Sequence, residues 1–118
     1  TWGGNLVDMV RFTVYLEIIE SENLVSQAKE NGKYLSEGLE SLAHNHDPVS
    51  NVRNKGLFAA FDLPSTEIRS KALELISREG ALMLGCGDQS IRFRPHLNIS
   101  KSEIEHGISM IDKALSKI

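Results

Sequence analysis

Two short stretches of this sequence hold residue types whose spacing suits chemistry. The first is Thr1-Trp2-Gly3-Gly4-Asn5. Glycines let the backbone approach an anion closely. A helix N-terminus supplies unpaired N–H groups and partial positive charge, and a threonine adds a hydroxyl. That set suits a phosphate. It suits equally a plain loop ending in an ordinary N-cap at Asn5, and spacing alone does not separate the two. The second stretch is Ile91-Arg92-Phe93-Arg94-Pro95. Alternate side chains of a strand share a face, so Ile91 and Phe93 turn to the core while Arg92 and Arg94 turn the other way together. Two neighbouring guanidinium groups repel unless an acid or anion lies beside them, and arginine is suited to bidentate carboxylate binding. The alternative is an edge strand whose charges face water and discourage further pairing.

Other reactive types are less suggestive. Cys86 has no histidine near it in sequence and reads as a small turn residue. His44 and His46 sit at a helix end, where a cation is favourable, and His106 lies on the polar side of the last helix. No Cys/His grouping has metal-ligand spacing. The lysines fall on helix surfaces or in turns, none in the apolar setting that lowers a pKa for Schiff-base work.

The elements that must position these residues follow from composition and period. With 118 residues, 41% hydrophobic and 25% charged, the chain is of a size for one ordinary globular domain, residues 1–118. A formal net charge of -3 argues against nucleic acid or an anionic membrane as the main partner. No apolar run approaches the roughly 20 residues a membrane span needs. The single cysteine excludes an internal disulfide and suits a cytoplasmic location. The opening residues carry no signal-peptide pattern and no initiator Met, as expected of a piece of a longer chain.

After Asn5, a helix is expected to about Glu20. Leu6, Val10, Val14 and Ile18 make one apolar stripe, and Met9, Phe12, Leu16 and Ile19 make a second. Such a helix should be wedged between two bodies rather than lie on one. Ser21-Glu22-Asn23 breaks it. A second helix runs to about His44 with Val25, Ala28, Gly32, Leu35, Leu39 and Leu42 inward. The period then becomes two. Residues 49–52 and 57–63 read as strands around an Asn54-Lys55-Gly56 turn, with Leu57, Ala59, Phe61 and Leu63 on one face. A third helix starts near Pro64-Ser65-Thr66-Glu67, buries Ile68, Ala72, Leu75 and Ile76, and stops at Gly80. Residues 81–84 and 90–94 form a loose hairpin. Ser100-Lys101-Ser102-Glu103 is a capping box opening a last helix that buries Ile104, Ile108, Ile111 and Leu115. The fold class is α+β: a small, mostly antiparallel sheet with helices packed on one face.

Taken together, the two motifs resemble a known family. Thr-Trp-Gly-Gly-Asn before a long helix is similar to the Ser-Thr-aromatic-Gly-Gly-Asn segment of class III (ornithine/GABA-type) aminotransferases. Ile-Arg-Phe-Arg-Pro before a capped terminal helix is similar to their Arg-aromatic-x-Pro-Pro segment. The likeness spans the chain. Leu6, Asp8-Met9-Val10-Arg11 and Arg92-Phe93-Arg94-Pro95 most resemble the subgroup that moves the side-chain amino group of L-lysine to 2-oxoglutarate. The resemblance implies the C-terminal small domain of a fold-type I enzyme that uses pyridoxal 5′-phosphate. Residues 1–21 would link toward a large domain, and residues 22–118 would form the small domain. It also implies a homodimer, Thr1 as a cofactor-phosphate ligand reaching the other subunit's site, and Arg92 as a clamp on a substrate carboxylate. Arg94 follows the lysine-specific pattern without an assigned role. His96 replaces the family's second proline. The Schiff-base lysine lies upstream of the Thr motif in this family, so no catalytic residue is expected within the chain, which alone should bind cofactor poorly and turn nothing over. Alternatives are a class III enzyme for ornithine or 4-aminobutyrate, a free-standing α+β module using the Arg92/Arg94 face for an acidic ligand, and a purely packing role in a larger protein.

Overall fold

A computed structural model describes residues 3–118. Four helices and four strands follow in the order α1 (Leu6–Ser21), α2 (Leu24–Asn45), β1 (Ser50–Lys55), β2 (Phe58–Asp62), α3 (Thr66–Arg78), β3 (Leu84–Cys86), β4 (Ser90–Phe93) and α4 (Lys101–Leu115). The strands form one antiparallel sheet in the order β1-β2-β4-β3. Helices α2, α3 and α4 pack on one face of it, as the α+β reading expects.

Alternation builds that face. Leu57, Ala59, Phe61 and Leu63 are all buried, and so are Ile91 and Phe93 on the neighbouring strand. The Phe61 and Phe93 rings meet at 5.9 Å between centroids, tilted by 49°, a favourable edge-directed arrangement. Leu35, Leu39 and Leu42 of α2, Ala72 and Ile76 of α3, and Ile104, Ile111 and Leu115 of α4 close the core from above. The caps fall where expected. Asn5 Oδ1 accepts the Val7 amide at 3.0 Å. Ser100 and Glu103 form a complete capping box. Gly80, at φ +105, ends α3.

α1 is the exception to burial. None of its residues is buried, and Leu6, Val10 and Phe12 are more than 60% exposed. Its packing within the chain is against α2.

Two boundaries and one buried position differ from the sequence reading. β1 begins at Ser50 and runs through Asn54 and Lys55, so the turn is Gly56-Leu57 rather than Asn54-Lys55-Gly56. Asn54 stays in the strand because its Nδ2 donates to Gly32 O (3.0 Å) and Gly56 O (3.1 Å), which satisfies a turn-forming side chain without a turn. The edge strand lies at Leu84–Cys86, later than residues 81–84. Ala81 N still bonds to Ile76 O, so the preceding residues close the helix end. Gly87 at φ +56 then makes the turn into β4. On α2, Leu24 rather than Val25 is buried, because α2 begins at Leu24 after Asn23 in the left-handed region.

Gly32 is a place where size alone decides packing. A Cβ there would lie 2.4 Å from the Gly56 carbonyl carbon, a backbone atom that cannot rotate away. Gly32→Ala is expected to destabilise the fold by about 1–3 kcal/mol through forced separation of α2 from the β1–β2 turn. Urea denaturation checks this, and an unchanged midpoint would contradict it.

Candidate functional site on the open face of the sheet

The side of the sheet away from the helices carries three rows of residues set by strand register. One row runs Arg53, Ala60, Arg92, Leu84 across β1-β2-β4-β3. The next holds Asp62, Ser90 and Cys86. The third pairs Lys55 with Phe58. Continuing the β2–β4 ladder one step past Ala59↔Phe93 brings Phe58 level with Arg94. Sequence alternation placed Arg92 and Arg94 on one face. The ladder ends at Phe93, and both arginines line one cleft of about 320 Å³ whose far wall is α4 (Glu103, Ile104, Ile108, Ile111), so the cleft reaches from the strand ends to the helix side of the sheet.

The acid on this face is already taken. Asp62 is only 7% exposed. Its Oδ1 accepts from Arg53 Nη1 at 2.9 Å and from Ser90 Oγ, and its Oδ2 from Asn51 Nδ2 at 2.6 Å. Burial pushes the Asp62 carboxyl up. The hydrogen bonds from Ser90, Asn51 and Arg53, with the Arg53 charge, outweigh it and hold the group below its ordinary value. Arg53 Nη2 also donates to Ser90 Oγ at 3.0 Å, so three strands are tied together.

Arg92 stands two residues further along β4 and has no such partner. Among the described residues it makes no ion pair, and its Nε is buried without a hydrogen bond. A guanidinium left unsatisfied in this way is costly unless a ligand completes it. This separates Arg92 from Arg53, though not from Arg94, which makes no ion pair either, or from Arg69, whose Nε is likewise buried without a partner. The paired one, Arg53, was not singled out from the sequence, nor was Asp62. Their signal was available in the alternation that puts Asp62 on the face opposite Phe61.

The remaining candidates disperse. His46 Nε2 lies 2.7 Å from Asp112 Oδ1 and joins the end of α2 to α4. Cys86 is exposed on the edge strand. Thr1 lies outside the described residues. Among those residues no grouping of three or more His, Cys, Asp or Glu could hold a metal, and no helix is long and apolar enough to cross a membrane.

A model of the family described as Aminotransferase class-III matches residues 1–115. The chain belongs to the class III aminotransferases. It is similar to the L-lysine-epsilon aminotransferase of Amycolatopsis lactamdurans, 43% identical across 98% of this chain and 26% of that protein. The enzyme of that name from Streptomyces clavuligerus is 42% identical across the whole of this chain and 26% of its own length. A lysine aminotransferase from M. tuberculosis, solved in its internal aldimine form, superposes with a TM-score of 0.95 at 40% identity, over 99% of this chain and 27% of that one. The chain thus spans about a quarter of the length of these relatives. The fold is that of the small domain of fold-type I enzymes.

The family implies pyridoxal 5′-phosphate, and the chain fits only one end of it. Around Gly3 and Gly4 an added Cβ would meet nothing within 4 Å, and both lead straight into the first turn of α1. This is open backbone at a helix N-terminus, suited to a phosphate. Asp8 in that turn opposes an anion but is paired with Arg11 at 3.2 Å. Every lysine of the chain is exposed, none enclosed by apolar side chains.

Proposed function

We propose that this chain is the C-terminal part of an aminotransferase that moves the side-chain amino group of L-lysine to 2-oxoglutarate, giving an aminoadipate semialdehyde and glutamate. The observation that carries the reading is Arg92. It is an unpaired guanidinium on the open sheet face, its Nε buried without a partner, beside an arginine that is fully engaged. Arginine binds carboxylates through a planar fork, and both substrates carry a carboxylate. Arg92 clamps that group and so orients the reacting end of the substrate. Pyridoxal 5′-phosphate supplies the electron sink when bound. Thr1, with the Gly3-Gly4 loop, holds its phosphate, and the catalytic lysine comes from elsewhere in the longer polypeptide. The similarity to L-lysine-epsilon aminotransferases favours lysine over ornithine or 4-aminobutyrate.

The exposed apolar surface of α1 supports the division of residues 1–21 from 22–118. That helix packs against the remainder of the polypeptide and a second subunit of a homodimer. The enzyme is placed in the cytoplasm, where Cys86 stays a thiol.

The test is to mix the full-length enzyme with cofactor, L-lysine and 2-oxoglutarate. Semialdehyde and glutamate are expected in equal amounts. The 118-residue chain alone is expected to form neither and to develop no visible Schiff-base absorbance. If lysine is inert while ornithine or 4-aminobutyrate reacts, the lysine assignment fails and the class stands. No reaction with any amine overturns the reading.

A further inference from the structure

The chain carries a net charge of -3, yet its open sheet face is cationic. Lys55, Arg53, Arg92 and Arg94 lie on that side, against one acid, Asp62, which is bound to Arg53. Among the described residues Lys55 and Arg94 make no ion pair. They line a second cleft of about 310 Å³ together with Phe58, Pro95 and Leu97. Phe58, 58% exposed, is the register partner of Lys55 and stands level with Arg94. Arg94 also lines the cleft that holds Arg92, so the two clefts meet at its side chain.

Glu103 is an acid that shares the Arg92 cleft. Its carboxylate is oriented by the helix cap. Its Oε2 accepts from the Ser100 amide (2.8 Å) and Oγ (2.7 Å), and its Oε1 faces His96 at 3.8 Å. These bonds orient Glu103 without neutralising it, but Lys55, Arg53, Arg92 and Arg94 are four cations against the two carboxylates Asp62 and Glu103, so the clefts keep a positive excess. Cations left unpaired around a cleft raise the local concentration of anions and speed their arrival.

We propose that Lys55 and Arg94 form a cationic rim that guides the dianionic oxo acid toward Arg92 and disfavours the amine substrate. This rests on the aminotransferase reading above. The two substrates differ in sign: 2-oxoglutarate carries two negative charges, whereas L-lysine is a net cation at neutral pH. A rim that acts by charge must therefore change the 2-oxoglutarate half-reaction without a matching loss in that of L-lysine. A residue that merely props up the fold would move both the same way.

The experiment is to measure both half-reactions separately in full-length holoenzyme carrying Lys55→Gln and Arg94→Gln together. At low ionic strength, kcat/KM for 2-oxoglutarate is expected to fall about 5- to 10-fold, while that for L-lysine holds or rises up to about 2-fold. Because screening shortens the Debye length to about 3 Å at 1 M salt, the difference should shrink to within about 2-fold there. Equal losses for both substrates, or no loss for 2-oxoglutarate at low salt, would overturn the rim and leave the aminotransferase reading standing. If the unaltered enzyme accepts no amine at all, that reading falls and the rim falls with it.

Discussion

Replacing Arg92 by alanine in the full-length enzyme is expected to lower kcat/KM for 2-oxoglutarate by about 100-fold or more. A guanidinium–carboxylate fork makes two charge-assisted hydrogen bonds, each contributing about 1.5–3 kcal/mol, and every 1.4 kcal/mol is tenfold in rate. Arg92→Lys should recover only part of the loss, because an ammonium cannot reproduce the planar fork. Stability should hardly move. Among the described residues the Arg92 side chain has no hydrogen bond or ion pair to lose, and its Nε is an unsatisfied donor that the substitution removes. A thermal midpoint within a few degrees of the parent, beside a collapse in the oxo-acid half-reaction, is the signature of a ligand-binding arginine. A large drop in both would mean that Arg92 holds the sheet together instead.

That expectation began with alternation in a five-residue stretch, and the way it fared shows what alternation can and cannot tell. The buried sides of β2 and β4 were plain because Ala59, Phe61, Ile91 and Phe93 obey period two beneath three amphipathic helices. The helix ends were plain where a side chain does the capping, as at Asn5 and Ser100. Asn54 misled because its turn-forming side chain finds its partners on α2 and across the turn, contacts that depend on tertiary packing. The short edge strand misled for a related reason. Residues 81–83 and 84–86 have similar propensity, and only pairing with Ser90 and Arg92 selects the second set.

The site was half legible. That Arg53 and not Arg92 meets Asp62 is settled by the register Arg53↔Ala60↔Arg92, and register is a property of the assembled sheet. Asp62 selects Arg53 as its partner across β1 and β2, which leaves Arg92 free. The apolar circumference of α1, by contrast, was readable directly, since a helix with apolar residues on all sides has no face to give to water.

Asp62→Ala should therefore be the most damaging change to stability among the polar residues of this face, costing about 2–4 kcal/mol. Three donors, from Arg53, Asn51 and Ser90, lose their acceptor at once. Breaking a buried charge pair from one side costs about 3–5 kcal/mol. The upper part of that range is discounted because the Arg53 side chain is 45% exposed and can rehydrate. The pH dependence carries a second signature. The folded Asp62 titrates below its ordinary value of 3.8, so the unfolded chain binds more protons as the medium is acidified. Its contribution is thus fully present above about pH 4 to 5 and is lost as the pH falls through the lower folded value. Glu103, held down by the Ser100 cap, and Glu79, held down by Lys117, add to the same acid limb, so the variant keeps part of it. Urea midpoints across pH 2.5 to 7 should converge between parent and Asp62→Asn at the acid end and separate toward neutrality. Curves that stay parallel down to the lowest pH would mean that Asp62 acts through packing and not through its charge.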